Sequence, residues 1–190
     1  MSEFPPSPNG AAGRASKSPG AVPPATVKGF YMSALVRELA SHGHHLTTPS
    51  YRDFADYPVE QAIELIEETA QRLYPHERKG EAIRRVGWII YPTLLNTIVG
   101  RVIFGSLGSD LPAIFRIAAR GFEVSITRGT YEPVHIGQRD AHVRVRDFPL
   151  FPENYLAGIF EGVLARYGFS EGKVEVRART PSDVDFYINW

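Results

Sequence analysis

The chain contains no cysteine. Disulfides, thiolate zinc sites, cysteine-bound iron–sulfur clusters and a cysteine nucleophile are therefore excluded together. It also lacks any charge imbalance, with 21 Lys plus Arg against 21 Asp plus Glu. No overall field draws it toward nucleic acid or an anionic membrane, and neither is expected as a partner. No charged-then-apolar leader opens the sequence, so a cytoplasmic protein is the default expectation. Catalytic signatures are missing as well: no nucleophile elbow, His-Glu-x-x-His pair or Ser-His-Asp arrangement is expected here, and no catalytic residue is assigned.

What the chain does have is one long apolar stretch, Arg85 to Leu107, RVGWIIYPTLLNTIVGRVIFGSL. Apolar side chains fall on every face of a helix drawn through it, which predicts an element surrounded by other atoms. A membrane span needs about 20 apolar residues. Thr93, Asn96, Thr97 and Arg101 would lie at membrane depth, and Pro92 would free a backbone carbonyl there. The stretch reads as a central core helix running to about Phe104, with no membrane span.

At 190 residues the chain suits one domain. Residues 1–25, rich in Pro, Ala, Ser and Gly, have too few apolar side chains to fold and read as a disordered tail. The foldable domain is 26–190. Val27, Phe30, Tyr31, Ala34, Leu35 and Leu39 recur at helical spacing and end near Gly43. A second helix starts at Tyr57-Pro58, its face of Val59, Ala62, Ile63, Ile66, Ala70 and Leu73 set against Glu60, Glu64, Glu67 and Glu68. After the central helix, Ser109 or Asp110 caps a short helix holding Leu111, Ile114 and Phe115.

The period then changes. Phe122, Val124 and Ile126 alternate with Glu123, Ser125 and Thr127, predicting a strand that continues toward Ile136 past a bulge near Gly129. A turn at 137–141 leads to a return strand with Val143 and Val145. A late helix begins near Asn154, and on it Gly158 and Gly162 allow close approach to a neighbouring backbone. Val174 and Val176, then Val184, Phe186 and Ile188, form a second strand pair. The expected fold is α+β: about four helices packed on an antiparallel four-stranded sheet, with a ββαββ C-terminal half.

Several motifs in this order carry a resemblance. Thr26-Val27-Lys28-Gly29-Phe30 is followed by Tyr57-Pro58-Val59-Glu60, by Glu81-Ala82-Ile83-Arg84-Arg85-Val86-Gly87, and by Thr97-Ile98-Val99-Gly100-Arg101. Phe115-Arg116 and Tyr155-Leu156-Ala157-Gly158-Ile159-Phe160-Glu161-Gly162 complete the series. Over residues 26–190 this resembles a paralogous myxobacterial family of unknown function. That family is distantly similar to 4-vinyl-reductase-type ligand-binding domains, haem–nitric-oxide-binding domains and the transport-particle subunits of vesicle tethering. The resemblance implies a dimer-forming α+β ligand-binding fold with an apolar pocket beside the central helix. The chain lacks the cysteine cluster of some 4-vinyl-reductase-type domains and the Tyr-x-Ser-x-Arg motif of the haem binders. Haem is accordingly not expected, and no cofactor is assigned.

The candidate site follows from the central helix. Trp88, Tyr91, Leu95 and Phe104 are available as pocket walls, with Thr97 or Arg101 as polar contacts to an apolar small molecule. His42, His44 and His45 lie at a fraying helix end without a further ligand in spacing, so no metal site is expected. The glutamates of the second helix read as a solvated face. The expected function is a non-enzymatic binding module, a sensor or adaptor. The alternatives are a protein–protein scaffold with an unidentified partner and, remotely, a small-molecule reductase. A homodimer is expected, with Phe30 and Leu35 near the centre of its interface.

Overall fold

A computed structural model describes residues 24–46, 50–104, 108 and 110–190, with the side chain of Phe104 outside the description. Almost all of the proposed tail, and Ser109, also lie outside it. The elements run β1 (Thr26–Lys28), α1 (Gly29–Ser41), β2 (Asp56–Pro58), α2 (Val59–Leu73), α3 (Lys79–Leu95), α4 (Ile98–Phe104) and α5 (Leu111–Ser125). They continue with β3 (Thr130–Ile136), β4 (Asp140–Arg146), one π-helical turn (Pro152–Leu156), α6 (Ala157–Arg166), β5 (Lys173–Thr180) and β6 (Asp183–Asn189).

The last four strands form one antiparallel sheet in the order β3-β4-β6-β5. The α+β class and the ββαββ half are as the sequence indicates. Val143 and Val145 on β4 and Val184, Phe186 and Ile188 on β6 are all buried on the inner face. Alternation with period two puts their polar neighbours outside, where His142, Arg144, Arg146 and Arg179 surround the buried carboxylate of Asp185. Phe160 on α6 ties the layers together, its ring 4.9 Å from Phe186 and 5.9 Å from Phe115.

The structure departs from the expectations drawn from sequence in three places. First, the expected strand at Phe122–Thr127 is the end of α5, which stays helical to Ser125. Ile114, Phe115, Ala118, Phe122 and Ser125 recur at three- and four-residue spacing, and this longer period wins over a six-residue alternation. Asp110 starts the helix as expected, its Oδ1 accepting from the Ala113 amide at 3.0 Å. Only Ile126 is extended, bridging to Val27 on β1.

Second, the central helix is two helices. Pro92 near its end removes one amide donor. Two residues past α3, Thr97 Oγ1 donates to the Leu94 carbonyl at 2.7 Å and accepts from the Gly100 amide at 2.9 Å. That hydroxyl ends one helix and caps the next. The apolar run is not enclosed on all sides either, since Trp88, Ile98 and Val102 are 48%, 52% and 78% exposed. None of the helices among the described residues is long and apolar enough to cross a membrane.

Third, α1 covers its own domain. Phe30 and Leu35, expected at a dimer interface, are buried within the single chain, as are Met32 and Leu39. The helix packs against α2 and α3. It is held there by the short β1–β2 ladder, which the sequence reading missed because each strand has only three residues.

Candidate functional site

Helices α3 and α6 cross closely because three glycines stand at the crossing. A Cβ on Gly87 would overlap the Tyr155 carbonyl oxygen, and one on Gly158 would overlap that of Arg84. At Gly162 it would meet the Trp88 carbonyl oxygen at 2.5 Å. Pro92 leaves the Trp88 carbonyl without its usual helical donor four residues on, and the small surface of Gly162 covers it. Arg84 and Glu161 lock the same crossing, with Arg84 Nε donating to Glu161 Oε2 at 3.0 Å.

Beyond the crossing, α3, α4, α5 and α6 diverge over the sheet and leave a cavity of about 160 Å³. Tyr91, Leu94 and Leu95 come from α3, and Val99, Gly100 and Ile103 from α4. Helix α5 contributes Ile114, Phe115, Ala118, Gly121, Phe122 and Ser125, while Ile159, Phe160 and Val163 come from α6. Tyr31 on α1 and Tyr131 on β3 complete the ring of aromatics. Among the described residues, the lining carries no charged side chain, no histidine and no methionine. A dry apolar cavity of about 150 Å³ accepts benzene or xenon, so this one has room for a ligand of that size.

Polar groups at the wall are few, and each is a hydroxyl. Ser125 Oγ donates to the Gly121 carbonyl, and Tyr131 Oη donates to the Phe115 carbonyl at 3.2 Å. The hydroxyls of Tyr31 and Tyr91 are buried and have no hydrogen-bond partner among the described residues. Burial, and then the nearby Tyr155 phenol, pushes the Tyr31 phenol well above its ordinary range. Burial, and then Tyr167, does the same for Tyr91. Both phenols are therefore neutral donors at any physiological pH.

Of the residues singled out from sequence, Tyr91 and Leu95 line the cavity. Trp88 does not: it lies half exposed in a separate crevice with Tyr74, Arg84, Arg85 and Glu161. Thr97 is buried but spends its hydroxyl on the helix junction, and Arg101 is exposed on the outer side of α4. The side chain of Phe104 is outside the description. The sequence reading missed Tyr31, Phe115, Phe122, Tyr131 and Phe160. Placing Phe122 and Ser125 on a strand hid the helical spacing that would have found α5.

Nothing in the fold assembles a competing reactive centre among the described residues. No group of three or more metal-capable side chains comes together there. His42 Nδ1 stays within 3.0 Å of the Glu38 carbonyl at the end of α1, and Glu67 and Glu68 pair with Lys79 and Arg72. Gly168-Phe169-Ser170-Glu171-Gly172 matches a nucleophile elbow in letters. It joins helix α6 to strand β5, the reverse of the strand-to-helix order that exposes such a serine.

The chain belongs to the family of proteins of unknown function DUF2378, whose model matches residues 21–190. No curated protein matches it by sequence. Solved structures share its fold. An H-NOX protein from S. oneidensis in the Fe(II)NO ligation state is 13% identical, with a TM-score of 0.57 over 85% of this chain and 98% of that one. The Fe(II) unliganded H-NOX protein from K. algicida is 10% identical, with a TM-score of 0.52 over 85% and 95%. An oxygen-binding H-NOX domain related to soluble guanylate cyclases is 13% identical, with a TM-score of 0.56 over 85% and 91%.

Proposed function

We propose that this protein is a small-molecule-binding module, a sensor or adaptor that holds a small apolar ligand in the cavity between its helices and its sheet. The observation that carries the reading is the cavity itself: about 160 Å³, apolar, and lined by residues of α1, α3, α4, α5 and α6. Well-packed interiors leave few voids larger than a water molecule. A void of this size lined by residues from so many elements fits a pocket whose filling is felt across the fold. Sharing a fold with H-NOX proteins supports the same reading by analogy alone.

The ligands in those solved structures do not transfer with the fold. Haem needs an axial ligand, and among the described residues the cavity wall offers no histidine or methionine. Among the described residues no Arg or Lys lines the cavity to meet acidic side groups, and its volume is below the roughly 300–1,000 Å³ of ordinary cofactor sites. The residues present do not fit haem, and the proposed ligand is an organic molecule of about benzene size. Native mass spectrometry and thermal shift across a panel of small aromatic and alicyclic compounds test this. Binding with a raised melting temperature is the expected result, and a panel without any shift would remove the reading.

A second reading, a protein-contact scaffold, has one observation in its favour. Trp88 is half exposed beside Arg85 and Tyr74, and Trp, Tyr and Arg are the side chains that concentrate binding energy at interfaces. The homodimer expected from sequence would then use this face of α3 and not α1. Trp88→Ala should leave the fold intact and lower any self-association seen by sedimentation. An unchanged profile would remove this reading.

A further inference from the structure

Burial along the cavity lining shows where the cavity opens. Val27, Tyr31, Phe148, Leu150, Phe160 and Val163 are all closed over. Leu94 and Leu95 at the end of α3, Val99 and Ile103 on α4, and Ala118 and Phe122 on α5 are partly exposed. Apart from Tyr131 and Ile159, every partly exposed residue of the lining belongs to these three helices. The mouth therefore lies between the end of α3 with α4 on one side and α5 on the other. On α5 the small residues Ala118, Gly121 and Ser125 follow one another at helical spacing, so the ridge facing the cavity has little side chain to close the gap.

The apolar surface continues outward from that mouth. Val99 and Ile103, four residues apart, turn one face of α4 to the cavity, while Ile98 and Val102, also four apart, are 52% and 78% exposed on another. Arg101 is the only charged residue of the helix. Across the mouth, Val124 on α5 is exposed as well. The large apolar side chains exposed among the described residues are Phe54, Trp88, Ile98, Val102, Val124 and Val134. Half of them stand on the two helices that frame the opening, which sets this surface apart from singly scattered exposed carbon.

We infer that the molecule held here is an unbranched alkyl chain longer than the cavity, with its end in the enclosed space and its remaining carbons passing out between α4 and α5. This rests on the small-molecule reading above and extends its ligand, since the enclosed volume takes only a benzene-sized portion of the molecule. A ring system or branched body must fit whole within about 160 Å³, whereas a chain divides between the cavity and the surface outside it. Its outer carbons cover Ile98 and Val102 along α4, a helix of seven residues and about 10 Å. The polar end stays in water, because among the described residues the wall has no charged group to meet it.

The probes are straight-chain alkanols from butanol to decanol, titrated calorimetrically into the full chain with benzene as the reference. Affinity should keep rising beyond hexanol, by about two- to fourfold for each added carbon. A cavity without a usable mouth would end the rise near six carbons, the size that about 150 Å³ accepts. In an Ile98→Asp/Val102→Asp double variant, both changes at exposed positions, decanol should lose about tenfold or more in affinity and benzene should lose nothing. A plateau at six carbons in the unaltered protein would overturn the inference and leave the small-molecule reading standing. An unchanged decanol-to-benzene ratio in the double variant would do the same, and if that variant also dissociated a dimer, the patch would belong to a second copy of the chain. Binding of neither benzene nor any alkanol would overturn both.

Discussion

Gly158 rests directly on the carbonyl oxygen of Arg84, and a side chain at that position would occupy the space of the α3 backbone. The contact fixes how near α6 comes to α3, and with it the angle at which both helices leave the crossing to form the cavity wall. Gly158→Ala should therefore destabilise the fold by about 3 kcal/mol or more, since overpacking against backbone has no flexible neighbour to yield. In an open helix the same change would stabilise by about 1 kcal/mol. Urea unfolding of the variant decides, because the two expectations differ in sign.

The junction between α3 and α4 depends on one hydroxyl. Thr97→Val keeps the shape and removes both the bond to the Leu94 carbonyl and the one from the Gly100 amide. Loss of such a cap costs about 1 kcal/mol, up to roughly 2 at a buried site. Helix α4 carries Val99, Gly100 and Ile103 on the cavity wall. Amide exchange in 98–104 should accelerate more than in α6. Uniform acceleration across the domain would contradict a local role.

Asp185 makes the fold acid-sensitive. Burial alone would raise its carboxyl, but hydrogen bonds from His142 and Arg146 and the charges of Arg146 and Arg179 outweigh burial and hold it at about 2, against an ordinary 3.8. A depressed carboxyl stabilises the folded state above its unfolded value and loses that contribution as pH falls toward the folded one. Stability should thus be flat in this respect above about pH 5 and decline between about pH 4 and 2. Asp185→Asn should weaken the protein by about 2 kcal/mol at neutral pH, the scale of hydrogen bonds to a charged group, and flatten the acid decline. A variant with the same acid profile as the parent would contradict this assignment.

The sequence was legible where one pattern repeats over a whole element. Val143 with Val145, and Val184 with Phe186 and Ile188, announce strands with one buried face. Gly158 and Gly162 announce a close helix crossing before any partner is known. It was illegible where two periods coincide, as at Phe122–Ser125, where four residues satisfy both alternation and the end of a long helix. It was also illegible where a side chain's role depends on which neighbour arrives. Trp88 and Tyr91 are three residues apart on one helix. Only the crossing with α6 decides that Tyr91 turns to the cavity and Trp88 to a surface crevice. Leu35 looks like an interface residue until α2 and α3 are seen to cover it.

Filling the cavity tests the account from the other side. Ala118 lines it from α5. Ala118→Leu adds three methylene-sized groups where space already exists, so the variant should fold at least as stably as the parent, since filling a void restores lost contacts. Its melting temperature should no longer respond to small aromatic compounds.

The most direct measurement of the central claim is a calorimetric titration of benzene into the parent protein and into Ala118→Leu, run side by side. The account requires saturable binding at one site per chain in the parent, with a negative heat-capacity change from apolar burial. It also requires loss of that binding in the filled variant. Absence of saturable binding in the parent, or equal binding in a correctly folded Ala118→Leu, would contradict it.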